Sequence, residues 1–184
     1  MKFWLCVLLW VAHTATASPE EISVAVEREK GNQYTFTMQF LARAPANKVF
    51  AIITDFENLS QLNPLIKSSR ILPSPKPHIN RVEVVTRGCM LFFCKTIVRV
   101  EDVAFDHTLT INTEFVVSLS DFKSGSTQWT FETIGDNTHV TFYAQMVPDF
   151  WLPPFIGPYA LKKQLHSQLN YTANKINYLL TTHE

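Results

Sequence analysis

Apolar and polar residues alternate with period two through the middle of the chain and recur with period three to four at its end. In Tyr34-Thr35-Phe36-Thr37-Met38-Gln39-Phe40 every second side chain is apolar, the pattern of a strand with one buried face. Residues 22–28 alternate as well, and Glu29-Lys30-Gly31-Asn32 offers Gly and Asn for positive φ, so residues 22–41 predict a β-hairpin. Ala44-Pro45-Ala46-Asn47 then opens a helix. Pro suits its first turn, and Val49, Phe50, Ile52 and Ile53 supply an apolar stripe through about Thr54. Asp55 and Asn58 are cap residues for a second short helix that ends near Asn63-Pro64.

Strand-like runs follow at 68–72, 79–86, 95–103, 109–119, 126–134 and 139–147. Pro73, Pro75 and Pro77 mark a rigid loop, and Gly125 and Gly135-Asp136-Asn137 mark turns. Beyond Pro153-Pro154 the period changes: Leu161, Leu165, Leu169, Ala173, Ile176 and Leu180 recur at steps of three and four, predicting an amphipathic helix of about seven turns.

The amino terminus reads differently. Lys2, the ten-residue apolar run 3–12 and the small-residue site Ala15-Thr16-Ala17 fit an export signal, so 1–17 is expected to be removed, leaving Ser18 first. An uncleaved anchor would need about 20 apolar residues to span a bilayer. Residues 18–184 are then expected to form a single domain, periplasmic or secreted. Of the 184 residues, 46% are hydrophobic and only 5 are glycine, which excludes a disordered or collagen-like chain. Sixteen Lys plus Arg balance 16 Asp plus Glu, so the field that attracts nucleic acid is missing. Cys89 and Cys94 in an oxidising compartment point to a disulfide, which requires the residues between them to turn. In one continuous strand they would lie about 16 Å apart as free thiols.

Residues 49–59 (Val-Phe-Ala-Ile-Ile-Thr-Asp-Phe-Glu-Asn-Leu), followed by 62–72 (Leu-Asn-Pro-Leu-Ile-Lys-Ser-Ser-Arg-Ile-Leu), resemble the opening of the polyketide cyclase/dehydrase and coenzyme Q-binding families of the START-like (SRPBCC) superfamily. Pro153-Pro154-Phe155-Ile156-Gly157 before a long helix is similar to exported members. The resemblance covers residues 22–180 and implies an α+β helix-grip fold: a curved antiparallel sheet wrapped around the C-terminal helix, with two short helices after the first hairpin. It also implies an apolar cavity between sheet and helix. Fold alone does not set function, because the superfamily includes lipid carriers, cyclases, hydrolases and binding modules.

Strand parity indicates what such a cavity would present. Thr110, Asn112, Glu114 and Gln128, Thr130, Glu132 mark a solvent face, so Leu109, Ile111, Phe115 and Thr127, Trp129, Phe131 are expected inward. Val140, Phe142, Ala144 and Met146 join them, with Val82, Val84 and Val98. The ligand-binding candidates are Phe115, Trp129, Phe131 and Phe142, with Phe155 and Tyr159 at the start of the last helix and Phe56 and Leu62 at the mouth. The inward set holds almost no ionisable residue.

No His spacing suggests a metal site, no nucleophile elbow or phosphate loop occurs, and no cofactor is implied. Binding therefore ranks above catalysis. The expected function is an exported binding protein for a hydrophobic small molecule or lipid, quinone-like by analogy. A small cyclase, dehydrase or hydrolase on an apolar substrate is the alternative, and an inward Asp, Glu, His or Arg would favour it. An interaction module without a ligand is a third reading.

Overall fold

A computed structural model describes residues 22–90, 93–106, 109–152 and 157–182. The expected export signal and Phe155 lie outside these residues. The hairpin is present as β1 (Ile22–Arg28) and β2 (Tyr34–Ala42), followed by α1 (Ala46–Ile53). The remaining strands are β3 (Ile66–Leu72), β4 (Asn80–Met90), β5 (Phe93–Phe105), β6 (Ile111–Phe115), β7 (Phe122–Ile134) and β8 (Asn137–Pro148), and the chain closes in α2 (Pro158–Thr182). All eight strands form one antiparallel sheet in the order β1-β2-β8-β7-β6-β5-β4-β3.

The sheet curves around α2. Laid flat, eight strands would span roughly 34 Å at about 4.8 Å per strand. Yet Val24 near one edge and Val82 and Val84 near the other share one buried cluster with Leu169, Ala173, Ile176 and Leu180 of α2. A single core joining the two edges to one helix about 10 Å wide requires a concave sheet, with α2 packed on β1, β2 and α1. The apolar stripe read from the sequence is that buried face, as the helix-grip arrangement requires.

Several local expectations need correction. The second short helix is one 3-10 turn, Leu59–Gln61. Its expected caps bond to side chains: Asn58 Nδ2 donates to both Asp55 carboxylate oxygens at 3.0 Å, and Gln61 Nε2 donates to Asn58 Oδ1 at 3.0 Å. The run 109–119 stops being strand at Phe115, because Ser120 Oγ and Asp121 Oδ2 accept from the backbone N–H groups of Val100 and Val98 at 2.9 and 2.8 Å, and Val117–Leu119 turns instead. Gly125 does not mark a turn; it lies inside β7, directly beneath the Phe115 ring. Gly135 does turn the chain, at φ 60 in the two-residue loop between Ile134 and Asn137.

Cys89 and Cys94 face each other across the β4–β5 hairpin, 4.0 Å apart at Cα, and are disulfide-bonded. That register pairs Val84 with Arg99 and Val85 with Val98, so Val98 belongs to the outer face, contrary to the parity expectation. On that outer face Arg81 grips Asp102 through Nε (2.7 Å) and Nη2 (3.0 Å), and Lys76 adds a third contact at 3.1 Å.

Candidate functional site

The concave face carries the aromatic set. Trp129 packs on Phe142 with centroids 4.5 Å apart, and Phe131 meets the edge of Phe50 at 5.5 Å. Phe56 stacks on Phe105 at 6.2 Å, and Leu62 is buried beside it in the main core. Phe56, Leu62, Trp129 and Phe131 thus share one apolar cluster with Leu165 and Leu169, and Phe142 adjoins it through Trp129. Phe115 is also buried, but in a different neighbourhood, edge-on to Phe122 at 5.1 Å. Tyr159 is not among them: it is 81% exposed at the start of α2.

The same concave face holds polar chemistry that parity reading missed. Val82 pairs with Glu101 and Val84 with Arg99, so both charged side chains point the way the inward valines do. Glu101 is buried; its Oε1 lies 3.4 Å from Arg99 Nη2, and its Oε2 accepts from Thr113 Oγ1 at 2.8 Å. Thr113 and Thr127 share a further hydroxyl contact at 2.8 Å. The Arg99 guanidinium carbon stands 5.8 Å from the Phe115 ring centroid, a cation–π placement. A chain Arg99–Glu101–Thr113–Thr127 therefore crosses β5, β6 and β7 on the concave face.

Three buried polar atoms lack a hydrogen-bond partner among the described residues: Arg99 Nε, Ser69 Oγ and Gln168 Oε1. Ser69 pairs with Val84, which pairs with Arg99, placing the serine in the same cross-strand row. Gln168 lies on α2 one turn before Thr172, whose hydroxyl accepts from Asn63 Nδ2 at 3.0 Å. An unpaired buried polar group costs about 1–3 kcal/mol. A donor, a hydroxyl and an amide carbonyl remain open to hydrogen bonding.

The signal for this polar row was in the sequence. In an antiparallel pair the two residue numbers have a constant sum, so a directly opposed Cys89–Cys94 couple places Arg99 opposite Val84 and Glu101 opposite Val82. The cysteine pair is thus the register marker of the β4–β5 hairpin.

Two surface hollows formed by the described residues lie elsewhere. One, of about 190 Å³, is lined by Tyr159, Lys162, Lys163 and His166. The other, of about 160 Å³, lies against Gln33, Glu114, Ser124 and Gln145. Both fall below the roughly 300 Å³ at which small-molecule sites begin. Among the described residues no three His, Cys, Asp or Glu side chains gather as a metal site, and no helix is long and apolar enough to cross a membrane.

Solved structures share this architecture. The STAR-related lipid transfer protein of Xanthomonas axonopodis superposes with a TM-score of 0.64 at 15% identity, over 85% of this chain and 99% of that one. Human STARD10 gives 0.66 at 12% identity, over 88% and 71%. The Zhui aromatase/cyclase of a Streptomyces species gives 0.62 at 13% identity, over 79% and 92%. At these identities the likeness is one of fold. No curated protein sequence matches. The profile of one family matches residues 43–167, from the end of the first hairpin into the last helix, and the chain belongs to that family, polyketide cyclase / dehydrase and lipid transport.

Proposed function

We propose that the protein is an exported carrier for a hydrophobic molecule bearing one polar group, held between the concave sheet and α2. The observation that carries this reading is the polar row on the concave face, where Arg99 Nε and Ser69 Oγ are buried and unpartnered, with Gln168 Oε1 of α2 likewise open. Burial of an apolar body supplies about 25 cal/mol per Å², and the open polar atoms select its head. Export is supported by the leader-like run 3–12 and by the Cys89–Cys94 bond, which persists in oxidising compartments. The aromatic rings touch one another, so a ligand must part them. The Phe56–Leu62 segment is the natural gate, because it is held by one 3-10 turn and exposed side-chain bonds.

Inward Arg99 and Glu101 also favour the alternative, a cyclase or dehydrase acting on an apolar carbonyl compound. Both Glu101 oxygens are engaged, by Arg99 and by Thr113, which suits recognition better than proton abstraction. Mass spectrometry of co-purifying ligands, with fluorescence quenching by a panel of quinones, fatty acids and phospholipids, tests the carrier. Saturable quenching should change in Trp129→Phe, and Arg99→Met should weaken it about tenfold or more by removing a charged hydrogen-bond donor. No saturable response from the folded protein, and no co-purified lipid, would leave the interaction-module reading. Conversion of a carbonyl substrate that is lost in Glu101→Gln would establish the enzyme.

A further inference from the structure

Three separate parts of the chain meet at one end of the sheet. The disulfide-tied β4–β5 hairpin brings Phe93 edge-on to Trp151, with centroids 6.2 Å apart. Phe150 lies edge-on to Phe122 at 6.1 Å, with Lys95 Nζ 5.0 Å from its centroid. Leu152 and Leu161 both pack on the small core of Tyr34, Phe36, Phe142 and Ala144, so the first turn of α2 stands at this end too.

Two large rings there face solvent. Trp151 is 69% exposed and Tyr159 81%, the highest values among large hydrophobic side chains of the described residues. Tyr159, Lys162, Lys163 and His166 follow the i, i+3, i+4, i+7 spacing and line one hollow on the exposed side of α2. Lys95 and Lys123 add positive charge, and the acid in these contacts, Asp149, lies 3.4 Å from Lys123. No carboxylate of the described residues pairs with Lys162 or Lys163. A chain of zero formal charge thus gathers cations beside its two most exposed rings.

We propose that this end docks the protein on an anionic phospholipid surface, with the Trp151 and Tyr159 rings at the headgroup level and Lys162 and Lys163 against the lipid phosphates. Indole and phenol rings have an apolar body and a polar edge and favour the membrane–water interface, while lysine stems lie along apolar surface and keep their ammonium groups in the headgroup layer. The charge complementarity selects an anionic bilayer over a neutral one. The inference is independent of the ligand's identity and of the Phe56–Leu62 gate, since Phe56 stands at the Phe105 end of β5, opposite Phe93.

The test is co-sedimentation of the purified protein with phosphatidylcholine vesicles, with and without phosphatidylglycerol. Binding should require phosphatidylglycerol and fall with added salt. Each lysine charge removed should weaken it about fivefold, so Lys162→Gln with Lys163→Gln should cost roughly 25-fold. Trp151→Ser should reduce binding further and leave the circular dichroism and melting unchanged, because that side chain is mostly outside the fold. Equal binding to neutral vesicles, no binding to either kind, or binding untouched by the double lysine variant would overturn the proposal. Ligand quenching measured without vesicles fails or succeeds separately, so the carrier reading and the docking surface are judged apart.

Discussion

Gly125 offers a sharp test of how the concave face is packed. A Cβ built there would lie 2.3 Å from Phe115 Cδ2 and Cε2 and 2.9 Å from Cγ, far inside van der Waals contact. Phe115 cannot simply swing away, because it is buried, edge-on to Phe122 at 5.1 Å, with Arg99 above its ring. Gly125→Ala should therefore incur an overpacking cost of about 1–3 kcal/mol. Loss of the Phe115–Phe122 ring pair adds about 0.5–1.5 kcal/mol. A total near 3 kcal/mol corresponds to a fall in Tm of roughly 6–12 °C for a domain of this size. Thermal and urea unfolding followed by circular dichroism would measure it. Phe115→Leu removes the ring edge, so the double variant Gly125→Ala/Phe115→Leu should be less destabilised than the sum of the singles. Strict additivity, or a Gly125→Ala protein melting within about 1 °C of the parent, would refute the ring-over-glycine packing.

Leu169, buried on the sheet-facing stripe of α2, should cost about 2–5 kcal/mol when replaced by Ala. An unchanged denaturation midpoint would remove that stripe from the core. The hydrogen bond from Arg81 holds the Asp102 carboxyl below its ordinary value of 3.8, with burial opposing and Lys76 assisting. Its stabilisation is therefore present above that value and is lost as pH falls through the lower folded-state value; Asp102→Asn should flatten the acid limb of a urea-midpoint profile, and a parallel profile would refute this. Intact mass of protein recovered from the export compartment should correspond to a chain starting at Ser18 with no alkylatable thiol before reduction; a retained leader or two reactive thiols would contradict it.

Much of the fold was legible because its signals are local. Alternation within 34–40 and within 126–134 has to bury one face, and the stripe from Leu161 to Leu180 has to bury one side of a helix. The errors fall where a distant residue intervened. Gly125 resembles a turn residue until Phe115, ten positions earlier, is laid across it. The run 109–119 keeps its apolar character after Phe115, yet the hydrogen bonds of Ser120 and Asp121 to β5 end the strand. Tyr159 sits among the apolar residues of α2 but on its solvent side, where Lys162 and Lys163 share its face.

The sequence by itself determined the element order and the inward aromatic set on β7 and β8, since each depends on periodicity, but it left the Cys89–Cys94 segment open between a bonded turn and one continuous strand. That Arg99 and Glu101 share the concave face with those aromatics follows only once Cys89 and Cys94 stand directly opposite each other, and it is the tertiary structure that places them so. That outcome depends on how β4 and β5 pair, and a one-residue slip in a strand sends every side chain to the opposite face. It likewise decided which polar atoms stay open and which rings stay in water, because both depend on groups brought together from opposite ends of the chain.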